Sequence, residues 1–334
     1  MKVLRLYNAH DLRLTDESIP VPGPTETLVK VTSVGICGSD VHWYTEGGIG
    51  GTFLTEPLVL GHEFAGIVIN KNLNDQRVAV DPAIPCKHCK QCLEGNPNLC
   101  PSIRFAGTHG VDGSLQEYIS WPSENLYPLP GSISDEEAAL LEPLGVALHA
   151  LELGPIMPGI DVGIYGCGPI GLMMVQLARL SGVSRIYATD KLSSRLETAM
   201  ELGATDVFLA NGLEGQDIWQ ATHQRGVDVA YEMAGDNAAV ETAMVTSKYG
   251  GKVVIVGITA DDRTTFTAST ARRKGLTILI ARRMRYTYPR AIRLVSEGRI
   301  DLKSLITHRF PLDQYDLAFR MAESRSGIKV VIQM

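Results

Sequence analysis

The chain lacks an uninterrupted apolar run of the roughly 18 residues that a membrane span requires. Its opening stretch, MKVLRLYNAHDLRLTDE, turns acidic and polar early, so no span is expected and a cytoplasmic location is. It also lacks an excess of positive charge. With 31 Lys and Arg against 37 Asp and Glu the net charge is −6, which removes any general attraction to nucleic acid or an anionic membrane and leaves small molecules as the expected partners. No internal repeat or low-complexity tract is visible. Cysteine is scarce at six residues, and a 334-residue chain with 45% hydrophobic residues buries enough surface to need no disulfides.

Four of those six cysteines stand together in CKHCKQCLEGNPNLC, as Cys86, Cys89, Cys92 and Cys100. In a reducing compartment clustered thiols serve as metal ligands before they serve as disulfide partners. The spacing C-x2-C-x2-C-x7-C lets short turns bring four thiolates onto one tetrahedral ion. Structural zinc is the first reading, with redox thiols or an iron-sulfur cluster as alternatives. A closed four-sulfur site has no open position, so it staples a loop and the chemistry lies elsewhere. His88, between two of these ligands, is expected to be solvated.

Up to about residue 145, short apolar runs such as TLVKVTSVGI and RVAVDP alternate with Gly, Pro and Asn turns, the pattern of a β-rich domain. From about 147 to 280 strand and helix patterns alternate, which implies a parallel, doubly wound sheet with right-handed crossovers. The tail from about 282 is mixed, with an amphipathic RAIRLVSEGRI and a strand-like IKVVIQM.

Within the βα region, GIYGCGPIG contains Gly166, Gly168 and Gly171, with Pro169 and Ile170 between the last two. Glycines often mark ordinary turns. Here the motif follows an expected strand, opens an expected helix and is succeeded by Asp190 at the end of RIYATD, which makes it a dinucleotide site. Gly166 permits the tight turn, Gly168 lets the backbone approach a pyrophosphate, and Gly171 allows close packing of helix on strand. Asp190 accepts hydrogen bonds from ribose hydroxyls and repels a 2′-phosphate, favouring NAD; Lys191 and Arg195 pull the other way because either neutralises a phosphate. The plainer role for Asp190 is a helix N-cap, and for Cys167 a small apolar filler.

Hydride chemistry leaves the protein to handle the alcohol proton and the charge developing on oxygen. Cys37 in VGICGSDVHWY and His62 and Glu63 in LGHEFAG offer a thiolate, an imidazole and a carboxylate; three protein ligands plus water make an open, catalytic zinc site. Glu142 in LLEPLGVALHA adds an acid in apolar surroundings, where an unpaired charge is costly. A lone Cys or His is usually inert packing or surface, and His109, His149, His223 and His308 are read that way.

The order GICGSDVH, GHEFAG, four-cysteine lobe, GCGPIG and ITHRFPLDQ resembles the zinc-containing medium-chain alcohol dehydrogenases over essentially the whole chain, and within them the sorbitol- and xylitol-type polyol dehydrogenases. The resemblance implies an α/β chain. A β-rich GroES-like catalytic domain would take 1–146 and 282–334, and a doubly wound Rossmann-type NAD domain 147–281. It implies Cys37, His62 and Glu63 at a catalytic zinc, and Glu142 on the metal directly or through water. Ser39 and His42 become the proton relay and Arg283 a contact to substrate hydroxyls. Apart from the resemblance, Trp43 is a substrate candidate as an aromatic that could line a pocket, as could Tyr286 and Tyr288, against packing as the default for such a ring. Two zinc ions per chain, NAD and a homo-oligomer, dimer or tetramer, complete the expectation. The basic segment ARRMRYTYP leaves a phosphorylated or carboxylated substrate open. L-threonine 3-dehydrogenase, or another secondary-alcohol enzyme of the same chemistry, is the alternative; a non-catalytic protein that binds NAD and zinc is the reading from another class.

Overall fold

A computed structural model describes residues 1–69, 76–108 and 110–334, so His109 lies outside the described residues. The chain divides into two compact units, residues 1–145 with 285–334 and residues 146–284.

The first unit is built on a seven-stranded sheet. Its main path runs Leu126–Pro128, Arg77–Val80, Glu63–Val68, Glu26–Gly35, Lys329–Gln333, Ile306–Pro311, and Tyr118–Pro122 also pairs with Glu26–Gly35. The C-terminal strand is thus inserted beside one from the N-terminal third of the chain, antiparallel to it, with Val331 opposite Gly35. On its other side Gly35 stands opposite Glu63. A smaller sheet, Asp11–Asp16, Lys2–Asn8 and Leu58–Val59, packs into the same core, which holds Val29, Val31, Phe64, Trp121, Phe319 and Ile332 among others. Along Tyr118–Pro122 buried positions alternate with half-buried ones, the period of two that a strand with one face on the core requires.

The second unit is a six-stranded, all-parallel sheet in the order Asp206–Leu209, Arg185–Asp190, Asp161–Tyr165, Val227–Glu232, Ser247–Ile255, Thr277–Ile280. Numbered along the chain this is 3-2-1-4-5-6, the Rossmann order, whose direction reverses between Asp161–Tyr165 and Val227–Glu232. Val227–Glu232 is buried at every position, as a central parallel strand covered on both faces must be. The architecture is therefore α/β, a GroES-like β domain and a Rossmann domain. Among the described residues no helix is long and apolar enough to cross a membrane.

Candidate active site and metal centres

Sheet register assembles the first site. Cys37 follows the strand Glu26–Gly35 and is the N-cap of the helix Gly38–Glu46; Glu63 opens the neighbouring strand, with His62 just before it. One ligand atom from each of Cys37, His62 and Glu63 falls within 4.8 Å of the others. Asp40, 1% exposed, ties this corner together. Its Oδ2 accepts from the Cys37 N–H at 2.9 Å, its Oδ1 accepts from the Gly61 N–H at 3.1 Å, and Oδ1 lies 3.5 Å from His62 Nδ1. Burial opposes charge on both groups, yet the pairing prevails: Asp40 is held below the ordinary carboxylate range and His62 well above 6.5, helped by the nearby Cys37. A cation drawn to His62 Nε2 would take over from that proton.

Ser39 Oγ is 3.5 Å from His62 Nε2, and His42 Nδ1 is 2.8 Å from Glu46 Oε1 one helical turn along. Glu142 lies in the first turn of the helix Leu141–Leu153, buried, and burial pushes it up to about 7, with the charge of Glu63 adding and that of His62 opposing. It is close enough to feel both groups, but it stands outside the three-residue donor cluster. Trp43, 2% exposed, lies on the buried side of the helix Gly38–Glu46 with Asp40 and Tyr44 and packs in the apolar core of this unit. Arg283 is half-buried with a left-handed φ of 54°.

Two residues of this corner escaped the sequence reading. Asp40 was in plain view inside CGSDVH. Lys329, a lysine opening the apolar run KVVIQM, pairs with Glu63 and donates to the Ile36 carbonyl at 3.0 Å. A charged residue in an otherwise apolar strand was the available signal.

The four lobe cysteines place their sulfurs within 4.8 Å of one another, and none of the six cysteines is in a disulfide. Backbone N–H groups of Cys86, Cys89 and Cys92 donate to the sulfurs of Cys100, Cys86 and Cys89 at 3.4, 3.3 and 3.5 Å. Such donors favour thiolates, and the Cys86 thiol is lowered to about 6, the His88 backbone N–H contributing most. The His88 ring meets the Cys86 carbonyl at 2.7 Å, away from the sulfurs. All-sulfur donors in a tight cluster fit a closed zinc site, and mixed sulfur, nitrogen and oxygen donors, with His62 and Glu63 buried, fit an open one.

In the Rossmann unit Gly166 has φ 106°, and a Cβ there would come within 2.7 Å of the Ala234 nitrogen. Gly168 caps the helix Pro169–Leu180 and has nothing nearer than Arg195 Nη1 at 3.9 Å from its would-be Cβ, an open approach for a phosphate. Gly171 leaves no room for a side chain against the Gly166 carbonyl. Pro169 and Ile170 form the first turn of that helix. Asp190 Oδ2 accepts from the Cys167 N–H at 2.8 Å and Oδ1 from the Leu192 N–H at 2.9 Å, while Arg195 Nη1 stands 4.0 Å from Oδ2. Lys191 is engaged by Asp236 at 2.6 Å. Cys167 is fully buried, as a filler is. Glu232 Oε1, also unforeseen, accepts from Ala234 and Gly235 N–H groups at 2.8 and 2.7 Å and shapes the loop beside the glycine motif.

A Rossmann unit, a closed thiolate cluster and an open mixed-donor cluster on one chain define a zinc- and NAD-dependent dehydrogenase. The chain belongs to the zinc-binding alcohol dehydrogenases: residues 23–131 match the alcohol dehydrogenase GroES-like domain and residues 169–297 the zinc-binding dehydrogenase domain. It is 37% identical to a sorbitol dehydrogenase of Bacillus subtilis (strain 168), over 96% of this chain and 93% of that protein. It is 36% identical to an L-idonate 5-dehydrogenase of Vitis vinifera, over 98% and 93%. The crystal structure of L-idonate 5-dehydrogenase from Escherichia coli str. K-12 substr. MG1655 superposes with TM-score 0.92 at 29% identity, covering 100% of this chain and 98% of that one.

Proposed function

We propose that the protein oxidises a secondary hydroxyl of a sugar alcohol of the sorbitol or xylitol kind to the ketone, with NAD as hydride acceptor. The observation that carries this is the Cys37, His62 and Glu63 cluster, three donors of different kinds that leave a coordination position for a hydroxyl. The named relatives supply the polyol. When bound there, zinc lowers the pKa of a hydroxyl towards neutrality, and NAD on the glycine loop accepts the hydride.

The chain's own residues do the rest. Asp40 fixes the His62 ring so that Nε2 faces the donors. Ser39 would take the hydroxyl proton beside that nitrogen and pass it, through a ribose hydroxyl of bound NAD, to His42, which holds Nδ1 on Glu46 and would release the proton to water. Glu142, protonated or not near pH 7, is suited to reaching the open position in exchange with Glu63. Arg283 is the candidate contact to remaining substrate hydroxyls. Gly166, Gly168, Pro169, Ile170 and Gly171 cradle the pyrophosphate, with Asp190 and Arg195 at the adenosine ribose. Residues 1–146 and 282–334 carry the metal chemistry in this reading and 147–281 the cofactor. The protein works in the cytoplasm as a homo-oligomer; the outer strand Thr277–Ile280, with Ile280 exposed, supports an edge on which a second copy pairs.

The test is a screen of purified protein with NAD and NADP against acyclic sugar alcohols, cyclic polyols, their phosphates, aldonates and threonine, with column size analysis alongside. Turnover confined to neutral polyols with NAD supports the reading. A preference for threonine, or no zinc-dependent turnover with any alcohol, overturns it. His42→Ala should slow turnover by about 10- to 10,000-fold with zinc content unchanged.

A further inference from the structure

Glu63 is opposite Gly35, and Gly35 is opposite Val331. Directly opposed residues of a sheet share a face, and so do alternate residues of one strand. Lys329, two before Val331, therefore reaches the face that carries Glu63, and Gly35 between them has no side chain to separate the two. A Cβ at Gly35 would overlap the Glu63 carboxylate and lie 3.0 Å from Lys329 Cε. The result is an ion pair between groups 3% and 1% exposed, with the ammonium also donating to the carbonyl of Ile36, the residue before Cys37. Among the described residues Lys329 is the one lysine in the buried core.

A buried ammonium beside a donor carboxylate repels a divalent ion aimed at the same cluster. A site selected only for tight holding of metal gains nothing from it, and a buried pair is weak evidence for stability, since apolar replacements often serve as well. The four-cysteine lobe shows the contrast: its lysines, Lys87 and Lys90, are exposed and paired with Glu124 and Glu94.

We propose that Lys329 is a positioning residue that competes with the catalytic zinc for Glu63, so that this carboxylate exchanges on and off the ion rather than closing its open position. This rests on the reading of Cys37, His62 and Glu63 as the catalytic zinc site. Glu63 then has two cationic partners within reach, and the ammonium compensates its charge whenever it leaves the metal. Without Lys329 the carboxylate has one partner left; it holds zinc more firmly and yields the open position less readily.

The experiment compares the zinc-loaded wild type with Lys329→Met, which keeps the length and loses the charge, and Lys329→Arg, which restores it. Zinc release into excess chelator is followed with a metal-sensitive dye, and kcat and KM are measured on the same samples. The expected result is release of the catalytic ion about tenfold slower in Lys329→Met. Its kcat should fall at full zinc content, and Lys329→Arg should stand near the wild type in both. Faster release with lowered thermal stability means a purely structural pair and overturns the proposal, as does an unchanged release rate. Lys329→Gln, which still donates to Ile36, carries the same comparison should methionine not fold. A wild type that binds only the four-cysteine ion overturns the metal assignment itself; two ions with unchanged release overturn Lys329 alone.

Discussion

Asp40 Oδ1 stands 3.5 Å from His62 Nδ1, both side chains buried, and the same carboxylate caps the backbone of Cys37 and of Gly61. One acid thus faces the ring of one ligand, His62, and holds the backbone of another, Cys37, and of Gly61 beside His62. Outer partners of this kind are worth about 10- to 100-fold in metal affinity. Asp40→Asn keeps the shape and loses the charge, so its zinc affinity should fall by about that factor while the four-cysteine ion stays. Metal analysis against a chelator series separates the two ions. An Asp40→Asn protein that holds both as the wild type does would leave His62 oriented by something else.

The lobe should behave as a staple. Cys89→Ser is expected to lose one zinc and thermal stability, with most activity per folded molecule retained. Cys86, lowered to about 6 by backbone donors, is a thiolate above that value and takes up a proton as pH falls through it. A group whose folded pKa is depressed gives stability that is present at higher pH and lost on acidification. Zinc affinity of the lobe should therefore drop on acidification, most steeply where Cys86 takes up its proton, since the metal needs thiolates and the Cys92 thiol is already pushed up to about 12 by burial. Titrating lobe zinc in a Cys37→Ser background, where the other ion is absent, measures this; flat retention down to pH 5 contradicts it.

Much of this was readable in the chain because the signals were local. The lobe cysteines, Cys37, His62 with Glu63, and the glycine loop each sit in one short segment whose spacing carries the chemistry. The partner of Lys329 was not readable, since Glu63 lies far away in sequence and only the sheet register brings it near; Glu232 acts on the loop two and three residues further on, where no motif marked it. The helix Leu141–Leu153 was missed as an element because it is apolar almost all round and shows no helical periodicity; within it only Glu142 and His149 drew notice.

Glu142 makes the metal-free protein sensitive to alkali. Burial raises its pKa from 4.5 to about 7, so between those values the folded form keeps a proton that the unfolded chain has released. The unfolded state then binds fewer protons, and stability falls as pH rises through this window. Stripped of the catalytic zinc, the wild type should melt at progressively lower temperature from about pH 5 to 8, and Glu142→Gln should flatten that dependence. With zinc restored, either Glu63→Gln or Glu142→Gln should cost activity more than zinc content. Parallel melting profiles of stripped wild type and Glu142→Gln would assign the burial effect elsewhere.

Asp190 is committed on both oxygens before any cofactor arrives, to the N–H groups of Cys167 and Leu192. A carboxylate has about four lone-pair sites, so each oxygen can still accept from a ribose hydroxyl. It therefore has two jobs, holding the glycine loop at Cys167 and discriminating by repulsion against a 2′-phosphate. Arg195, with Nη1 4.0 Å from Oδ2, is a cation close to this site and favours the phosphate that Asp190 opposes, while Lys191 is engaged by Asp236. Asp190→Ala should raise the NAD KM sharply and narrow the gap to NADP, with kcat on saturating NAD changed little. Adding Arg195→Ala should weaken NADP again while leaving NAD near the single variant. Steady-state kinetics with both cofactors decides it, and a wild type that prefers NADP would mean that Arg195 governs the pocket and Asp190 serves only the loop.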